Sequence, residues 1–336
     1  MTTETFVSTP DASWARILPF LRPIEALIRD PDISDIMVNG ERGVFFEKDG
    51  RMEQAPGVTI REQYLHVAAR NIARALGDEV SDENPILDSR LPDGSRVAVI
   101  LAPVSVDGTV LTIRKFQNKR YTAEELVRVG ALTPGVLNTL KGAVLDRQNI
   151  LISGGTGTGK TTLLNALAAF IPQDERVIVI EDTSEIHIEK PNLVRLEARK
   201  AQRDLSTGQA SLPAVTIRDL LRATLRMRPD RVLLGEVRGG EAFDLLQALN
   251  TGHSGSLSTI HANSAPQALP RLATCIMMSG IELPHPAIRS NIGDALHVLV
   301  HLARRNGKRL ITEVIRIKAY DPREDRYDLE SLYELR

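Results

Sequence analysis

A short glycine-rich stretch near the middle of the chain has the residue types that hold a nucleotide triphosphate. From Gly154 to Thr161 the sequence reads Gly-Gly-Thr-Gly-Thr-Gly-Lys-Thr, the residue pattern and spacing of a phosphate-binding loop. Glycines let main-chain N–H groups approach an anion, a lysine reaches the β- and γ-phosphates, and a threonine hydroxyl suits Mg²⁺. We predict that the nucleotide is held by Gly154, Gly155, Thr156, Gly157, Thr158, Gly159, Lys160, Thr161 and Thr162.

Carboxylates that follow apolar runs form the second group of candidates. Glu181, Asp182 and Glu185 follow residues 177–180, and Glu236 follows residues 231–234. Carboxylates can hold Mg²⁺ and orient an attacking water, and one at the end of a buried strand needs a cation or water to offset its desolvation. We predict a catalytic role for all four acids and assign Glu236, with Thr161, to the metal. An exposed loop acid is the alternative for each, and the sequence does not select the general base.

Two histidines lie in the stretch Thr-Gly-His-Ser-Gly-Ser-Leu-Ser-Thr-Ile-His-Ala-Asn, at His253 and His261. An imidazole after a strand can hydrogen-bond a γ-phosphate, whereas the alternative is a histidine satisfied by neighbouring main chain. The pair His297 and His301 has a spacing that zinc ligands can have, but the apolar residues between them favour a polar strand face.

Arginines cluster between residues 222 and 238. Transition-state charge in phosphoryl transfer is often stabilised by an arginine, which another subunit can supply. Ordinary surface charge is the alternative for most members of this cluster, which are Arg222, Arg226, Arg228, Arg231 and Arg238.

Alternating strands and helices must position these groups. Apolar runs predict strands over 150–152, 177–180, 231–234 and 256–260, and helical spacing predicts helices over 163–170, 216–225 and 241–249. This alternation indicates a mostly parallel sheet covered by helices, in which ligands bind at the carboxyl ends of the strands. Asn306-Gly307 predicts a hairpin turn between residues 295–302 and 309–318, and residues 199–213 read as a surface loop.

The preceding part of the chain is predicted to be a smaller α+β domain. Strands are expected over 35–39, 44–47, 96–101 and 109–113. A helix over 61–76 should turn one face inward, formed by Tyr64, Val67, Ala68, Ile72 and Leu76. A capping box at Thr122 and helical spacing over 134–146 predict two further helices. We therefore divide the chain into an α+β domain (1–114), a linker (115–131) and an α/β domain (132–336).

Composition narrows the classes of function. The chain has 336 residues, a net charge of −1 and 4% aromatic residues, which does not favour strong nonspecific binding to nucleic acid. One cysteine, Cys275, excludes an internal disulfide and a cysteine zinc module. No secretory signal and no apolar run of about 18 residues is visible, so we expect a cytoplasmic protein that docks on a membrane through partners. A guanine-reading Asn/Thr-Lys-x-Asp motif is absent from the sequence.

Several motifs together resemble the traffic ATPases of type II and type IV secretion. Ile-Glu-Asp-Thr-Ser-Glu-Ile (180–186) is similar to their Asp box, and Leu-Leu-Gly-Glu-Val-Arg (233–238) to their atypical Walker B motif, where Gly235 takes the place of the usual aspartate. Residues 251–263 resemble their His box, and Arg-Met-Arg-Pro-Asp-Arg (226–231) also matches. With the phosphate loop, four motifs occur in the family's order, and the similarity spans about residues 30–300.

The resemblance implies a homo-hexameric ATPase that uses ATP and Mg²⁺. Its carboxy-terminal domain would be RecA-like and its amino-terminal domain α+β, with nucleotide bound between them. Family members work at the cytoplasmic face of the inner membrane with secretion or pilus components. Arg96 in Gly-Ser-Arg-Val and Arg114 in Thr-Ile-Arg-Lys resemble the amino-terminal arginines that contact the phosphates. His253 and His261 both gain weight as functional residues, His261 more so.

Within this superfamily the chain resembles the conjugative-transfer and tight-adherence pilus branches. The expected function is a motor that couples ATP hydrolysis to macromolecular export in type IV secretion or conjugation. A pilus-assembly ATPase of the tight-adherence type and a nucleotide-dependent scaffold with incidental hydrolysis are the alternatives. Direct contact with nucleic acid is left open, because ring ATPases of this fold can thread strands.

Overall fold

The computed structural model describes residues 17–48, 50–91, 93–116, 121–199, 201–203 and 210–335, with the main chain alone at residues 202, 203, 210 and 211. Contacts divide the chain into two compact units, Met1–Lys119 and Arg120–Arg336. This division falls inside the predicted linker 115–131, of which residues 117–120 lie outside the described part of the chain.

The amino-terminal unit is built on an antiparallel sheet. In its described residues the strand order is β3-β2-β1-β6-β5-β4, and each neighbouring pair is antiparallel. The strands are β1 (Ile33–Asn39), β2 (Val44–Lys48), β3 (Arg51–Gln54), β4 (Ile86–Arg90), β5 (Arg96–Ile100) and β6 (Val110–Arg114). Helices α1 (Glu25–Arg29) and α2 (Glu62–Ala75) complete the unit, together with short 3-10 turns at Leu18–Phe20, Arg22–Ile24 and Gly40–Arg42.

Helix α2 buries an apolar stripe that differs in part from the predicted face. Tyr64 and Val67 are 59% and 52% exposed, so their predicted inward orientation is wrong. Small alanines occupy the neighbouring inward positions, and they carry too little hydrophobic signal to outweigh a tyrosine and a valine in a sequence pattern. The stripe that packs into the core consists of Leu65, Ala68, Ala69, Ile72 and Ala73.

The carboxy-terminal unit contains the mostly parallel sheet that the alternating pattern predicts. Within the described residues its strand order is β16-β15-β14-β7-β13-β12-β8-β9. The strands from β14 to β9 in this order are parallel, whereas β15 and β16 extend the sheet in antiparallel fashion. The strands are β7 (Ile150–Gly154), β8 (Val177–Glu181), β9 (Leu193–Glu197), β12 (Arg231–Val237), β13 (Leu257–Ile260), β14 (Val298–Arg305), β15 (Lys308–Asp321) and β16 (Arg326–Glu334).

Helices cover both faces of this sheet. They are α3 (Ala123–Arg128), α4 (Pro134–Leu145), α5 (Lys160–Ala168), α6 (Ile217–Thr224), α7 (Glu241–Asn250), α8 (Ala268–Met277) and α9 (His285–Ala295). Ile150, Val177 and Val179 pack with the apolar residues of α5, whereas Leu151 and Ile178 pack on the opposite side with α7 and α8. Burial on both faces explains why the central strands read as continuous apolar runs.

Local capping and turn signals have the predicted structures. Thr122 and Thr216 each form a capping box, with Glu125 and Asp219 respectively, at the start of α3 and α6. Asn306 and Gly307 both have positive φ, 51° and 76°, and join β14 to β15, as a two-residue hairpin turn requires.

The predicted loop 199–213 is described in part. Residues 200 and 204–209 lie outside the described residues, and the flanking segments pair as the short strands β10 (Gln202–Arg203) and β11 (Ala210–Leu212). A search of the described residues finds no helix with the length and apolar character needed to span a bilayer.

Candidate functional site

The phosphate loop joins the carboxyl end of β7 to the first residue of α5. Gly159 precedes the helix with φ 96°, a left-handed conformation that favours glycine. Gly154 is closely surrounded, since a Cβ there would lie 2.6 Å from both the Leu302 carbonyl oxygen and Thr158 Oγ1. The loop therefore requires residues without side chains at these positions. The N–H groups in the first turn of α5 have no partner within the helix and face this loop, an arrangement that suits an anion.

Lys160 is held at this loop by main-chain oxygens. Its ammonium donates to the carbonyl oxygens of Gly154 and Gly155 at 3.1 and 3.0 Å, and the side chain is 8% exposed. Burial lowers the pKa of Lys160, and the nearby Glu236 carboxylate opposes this shift. The lysine is thus a desolvated cation, kept at the loop by carbonyls that a phosphate can replace.

Glu236 and His261 meet at the same cation. Glu236 Oε1 lies 2.8 Å from His261 Nε2 and 3.8 Å from Lys160 Nζ, and His261 Nδ1 lies 3.4 Å from Lys160 Nζ. Burial and the charge of Lys160 lower the pKa of His261, although Glu236 opposes them. A neutral imidazole with its proton on Nε2 satisfies both contacts, because it donates to Glu236 and accepts from Lys160.

Strand β12 extends further than its sequence indicated. The expectation that Glu236 follows a strand ending at Leu234 is corrected, because β12 runs through Glu236 to Val237. The pairing of β12 with β13 shifts register between Leu234 and Val237. Such an irregularity changes the direction of a side chain relative to strict alternation, and here it accompanies the placement of Glu236 beside Lys160.

Arg238 extends the group to the Asp box. Its Nε donates to Glu236 Oε2 at 2.5 Å, and its Nη1 donates to Asp182 Oδ2 at 3.4 Å. The sequence named Arg238 only as a member of the arginine cluster and did not single it out, although it lies in the same motif as Glu236. Glu185 is exposed, and its charge acts on both Lys160 and Arg238.

Glu181 lies in a different environment from the other predicted acids. Its side chain is 4% exposed, and Oε1 accepts the main-chain N–H groups of Glu185 and Ile186, both at 2.9 Å. A Cβ on Gly235 would lie 3.0 Å from Glu181 Cγ, so the missing side chain at Gly235 leaves room for this glutamate. Burial raises the pKa of Glu181 to about 7.

This raised pKa predicts a pH dependence of stability. A carboxyl whose pKa is about 4.5 when unfolded and about 7 when folded stabilises the fold fully below pH 4.5, and that contribution is lost as the pH rises through 7. We expect Glu181→Gln to gain on the wild type by up to about 3 kcal/mol between pH 5 and pH 8. Thermal unfolding midpoints of the two proteins over this range measure the difference, and parallel pH profiles would contradict it.

The remaining predicted residues fall into separate places. Thr161 and Thr162 lie in the first turn of α5, half-buried. In the amino-terminal unit, Arg96 and Arg114 are direct partners across β5 and β6, and Arg114 Nε donates to Asp35 Oδ1 at 2.8 Å.

His253 and His301, which the sequence named as candidates, have hydrogen-bond partners close by. His253 Nδ1 lies 3.1 Å from the Ala248 carbonyl oxygen, which agrees with the structural alternative for this residue. His301 is buried on β14, with Nδ1 2.9 Å from Ser153 Oγ. Among the described residues no group of three or more His, Cys, Asp or Glu side chains could hold a metal.

The chain also matches the sequence model of a known protein family. The sequence model of the type II/IV secretion system proteins matches residues 20–324. The chain belongs to this family. The resemblance noted in the sequence motifs is therefore confirmed.

Several relatives in the type II/IV secretion family match most of the chain. The conjugal transfer protein TrbB of Rhizobium radiobacter is 35% identical over 304 residues, covering 90% of this chain and 88% of the relative. The type IV secretion system protein VirB11 of Bartonella quintana is 33% identical over 346 residues, covering 92% and 94%. A putative conjugal transfer protein of Mycobacterium tuberculosis is 33% identical over 298 residues, covering 87% and 82%.

Solved structures confirm the fold class. The Legionella pneumophila ATPase DotB is 18% identical, with a TM-score of 0.59 over 88% of this chain and 79% of that one. The pilus retraction motor PilT, solved with bound ADP, is 20% identical, with a TM-score of 0.57 over 94% and 83%. The prediction of a RecA-like P-loop ATPase domain with a smaller α+β amino-terminal domain is thus correct.

Proposed function

We propose that this type II/IV secretion protein is a homo-hexameric motor that hydrolyses ATP to ADP and phosphate and uses the energy for macromolecular export. The observation that carries the proposal is the meeting of Lys160, Glu236 and His261 at the phosphate loop. Relatives named for conjugal transfer and type IV secretion favour export or conjugative transfer over tight-adherence pilus assembly.

The phosphate loop would hold ATP by its triphosphate. Main-chain N–H groups at the start of α5 would bind the phosphate oxygens, and Lys160 would exchange its bonds with Gly154 and Gly155 for bonds to the β- and γ-phosphates. This exchange is favourable because a buried ammonium gains more from an anionic phosphate than from neutral carbonyls. The helix dipole adds to the attraction.

Glu236 and Thr161 are the residues that would hold Mg²⁺. A hydroxyl and a carboxylate are both oxygen ligands, as this ion prefers, and bound Mg²⁺ keeps several waters and phosphate oxygens besides its protein ligands. When bound, the ion neutralises charge on the β- and γ-phosphate oxygens.

His261, Arg238 and the Asp-box acids would complete the chemistry around the γ-phosphate. The N–H at Nε2 of a neutral His261 can exchange its hydrogen bond to Glu236 for one to a phosphate oxygen, so the histidine can report whether the γ-phosphate is present. Glu185 and Asp182 would supply the negative field that orients the attacking water, and Arg238 links Asp182 to Glu236.

Arg96 and Arg114 are proposed to bind the nucleotide phosphates from the amino-terminal unit. Arg96 and Arg114 face each other across β5 and β6, and two neighbouring guanidinium groups suit the oxygens of an anionic phosphate. The Arg114 side chain is 56% exposed in its pair with Asp35, and exposed pairs contribute about 0–1 kcal/mol.

We therefore expect Arg114→Ala to lower ATP turnover at least about tenfold while changing the free energy of unfolding by less than about 1 kcal/mol. Steady-state turnover and urea unfolding of the same preparations test this. Arg29→Ala is the matched control, because it removes another exposed arginine–carboxylate pair of the same unit, the pair with Glu25. Equal losses of turnover and stability in Arg114→Ala would make Arg114 a structural arginine.

The proposed place of work is the cytoplasmic face of the inner membrane, reached through secretion components. The family membership and the names of the relatives support this placement. Nucleic-acid contact is not part of the proposal, because a net charge of −1 supplies no excess of positive charge to bind a phosphate backbone.

An export assay separates a motor from a nucleotide-dependent scaffold. A strain that lacks this chain is complemented with wild type or with Glu236→Gln, which keeps the shape of the side chain and removes its charge. A motor requires that Glu236→Gln be produced at wild-type level and fail in export. Export at the wild-type level by Glu236→Gln, with hydrolysis absent in the purified variant, would leave the scaffold as the function.

A further inference from the structure

Two side chains from different elements hold the main chain on both sides of Glu185. Residues 184–190 form neither helix nor strand, so their N–H and C=O groups need partners from elsewhere. Asn165 of α5 donates its Nδ2 to the Glu185 carbonyl oxygen at 3.2 Å and accepts the His187 N–H on Oδ1 at 2.8 Å. Glu181 accepts the N–H groups of Glu185 and Ile186.

These contacts connect Glu185 to the helix that begins at the phosphate loop. Asn165 is four residues after Thr161, so the two side chains share one face of α5, separated by about 6 Å along the helix axis. The same rigid helix therefore carries the threonine that would face Mg²⁺ and the amide that holds the Asp-box main chain.

The second contact is built into the sheet. Glu181 ends β8 on the side of Val177 and Val179, which is the face covered by α5. Its carboxyl group lies beside Gly235, where a larger residue would crowd it. Ile186, whose N–H it accepts, is fully buried, which anchors the segment further.

We propose that Asn165 and Glu181 are positioning residues, which fix the Glu185 carboxylate relative to Lys160 by holding the main chain of residues 185–187. This inference rests on the proposed ATPase function, and it changes the role expected of Glu181. Glu181 acts through hydrogen-bond acceptance toward main-chain N–H groups, and its negative charge is not used in the reaction.

The first test compares catalytic constants. Asn165→Ala removes both amide contacts and should lower kcat about tenfold while changing KM for ATP less than about twofold, because it displaces a reacting group without touching the nucleotide. Asn192→Ala is the matched control, since it removes an asparagine that bonds Arg176 outside the site. An Asn165→Ala variant with wild-type kcat would overturn the proposal.

The second test asks whether Asn165 acts through Glu185. Glu185→Gln alone should lower kcat, and adding Asn165→Ala to it should lower kcat by less than a further factor of about two, since a neutral side chain gains little from accurate placement. Multiplication of the two single effects in the double variant would show that Asn165 acts independently, and it would overturn the proposal.

Glu181 is tested by a pair of substitutions. Glu181→Gln retains an oxygen that can accept both N–H groups, so kcat should stay within about threefold of wild type. Glu181→Ala removes the acceptor and should lower kcat about as much as Asn165→Ala does. A loss in Glu181→Gln equal to that in Glu181→Ala would mean that the charge is needed, which contradicts the assigned role.

Hydrogen exchange of the full chain separates this inference from the proposed function. Amide exchange in a peptide covering residues 183–189 should accelerate at least about tenfold in Asn165→Ala and Glu181→Ala and remain slow in Glu181→Gln and Asn192→Ala. Unchanged exchange in Asn165→Ala, in a preparation whose wild type hydrolyses ATP, overturns the inference. Accelerated exchange with no hydrolysis by the wild type overturns the proposed function while the contacts stand.

Discussion

Lys160→Ala is expected to abolish ATP turnover, with a loss of at least about a thousandfold, or ~4 kcal/mol of transition-state stabilisation. The ammonium is the cation nearest the loop carbonyls, and its burial leaves little water to screen a phosphate charge. Arg238 does not replace it, because its guanidinium is engaged by Glu236 and Asp182. Phosphate release by the purified variant measures the effect.

The fold should survive this substitution. Lys160 is a buried cation whose lowered pKa shows that its desolvation is incompletely compensated, so its removal does not cost stability as the loss of an apolar side chain would. Glu236 keeps its contacts with His261 and Arg238. A thermal midpoint within a few degrees of wild type is expected. Lys141→Ala, which removes an exposed lysine beside Phe170, is the control for both measurements.

Glu236→Gln has the second largest expected effect. The amide keeps the shape of the side chain and one acceptor oxygen, so it can still accept from either Arg238 or His261, but the charge that would hold Mg²⁺ and balance Lys160 is gone. We expect kcat to fall at least about a hundredfold while the Kd for ATP changes by less than about fivefold. Single-turnover cleavage together with fluorescent-nucleotide binding separates the two quantities.

Glu330→Gln provides the comparison for this variant. Glu330 pairs with Arg316 on the β15–β16 hairpin, so the substitution removes a carboxylate–guanidinium pair outside the site. Its kcat should equal that of the wild type. A Glu236→Gln protein that cleaves ATP as fast as Glu330→Gln would remove Glu236 from the reaction.

The fold and the centre of the site follow from local sequence rules. The glycines at 154 and 159 meet steric and dihedral requirements that are specific to this loop, so their spacing identifies it. The parallel strands are buried on both faces, which makes them readable as uninterrupted apolar runs. Because the carboxyl ends of such strands lie at one edge, Glu236 and His261 could be expected near Lys160.

The details that could not be predicted depend on packing between distant segments. Glu181 and Asp182 are neighbours in sequence, yet Glu181 lies on the α5 face of the sheet and Asp182 reaches Arg238. The sequence shows which acids lie at strand ends, but it does not show on which face of the sheet each side chain lies, because the register is set by the pairing of the whole sheet. Asn165 reads as an ordinary polar residue on a helix, and its role becomes visible only when α5 is packed against residues 185–187.

Release of phosphate from ATP by the purified wild-type protein is the most direct test of the proposed hydrolytic site. The protein should be assayed as an assembled ring, with and without Mg²⁺, and in the presence of its membrane partners and lipid. We expect Mg²⁺-dependent hydrolysis that disappears in Lys160→Ala. If the assembled wild-type ring binds ATP but releases no phosphate under these conditions, the proposal that Lys160, Glu236 and His261 form a hydrolytic site is contradicted.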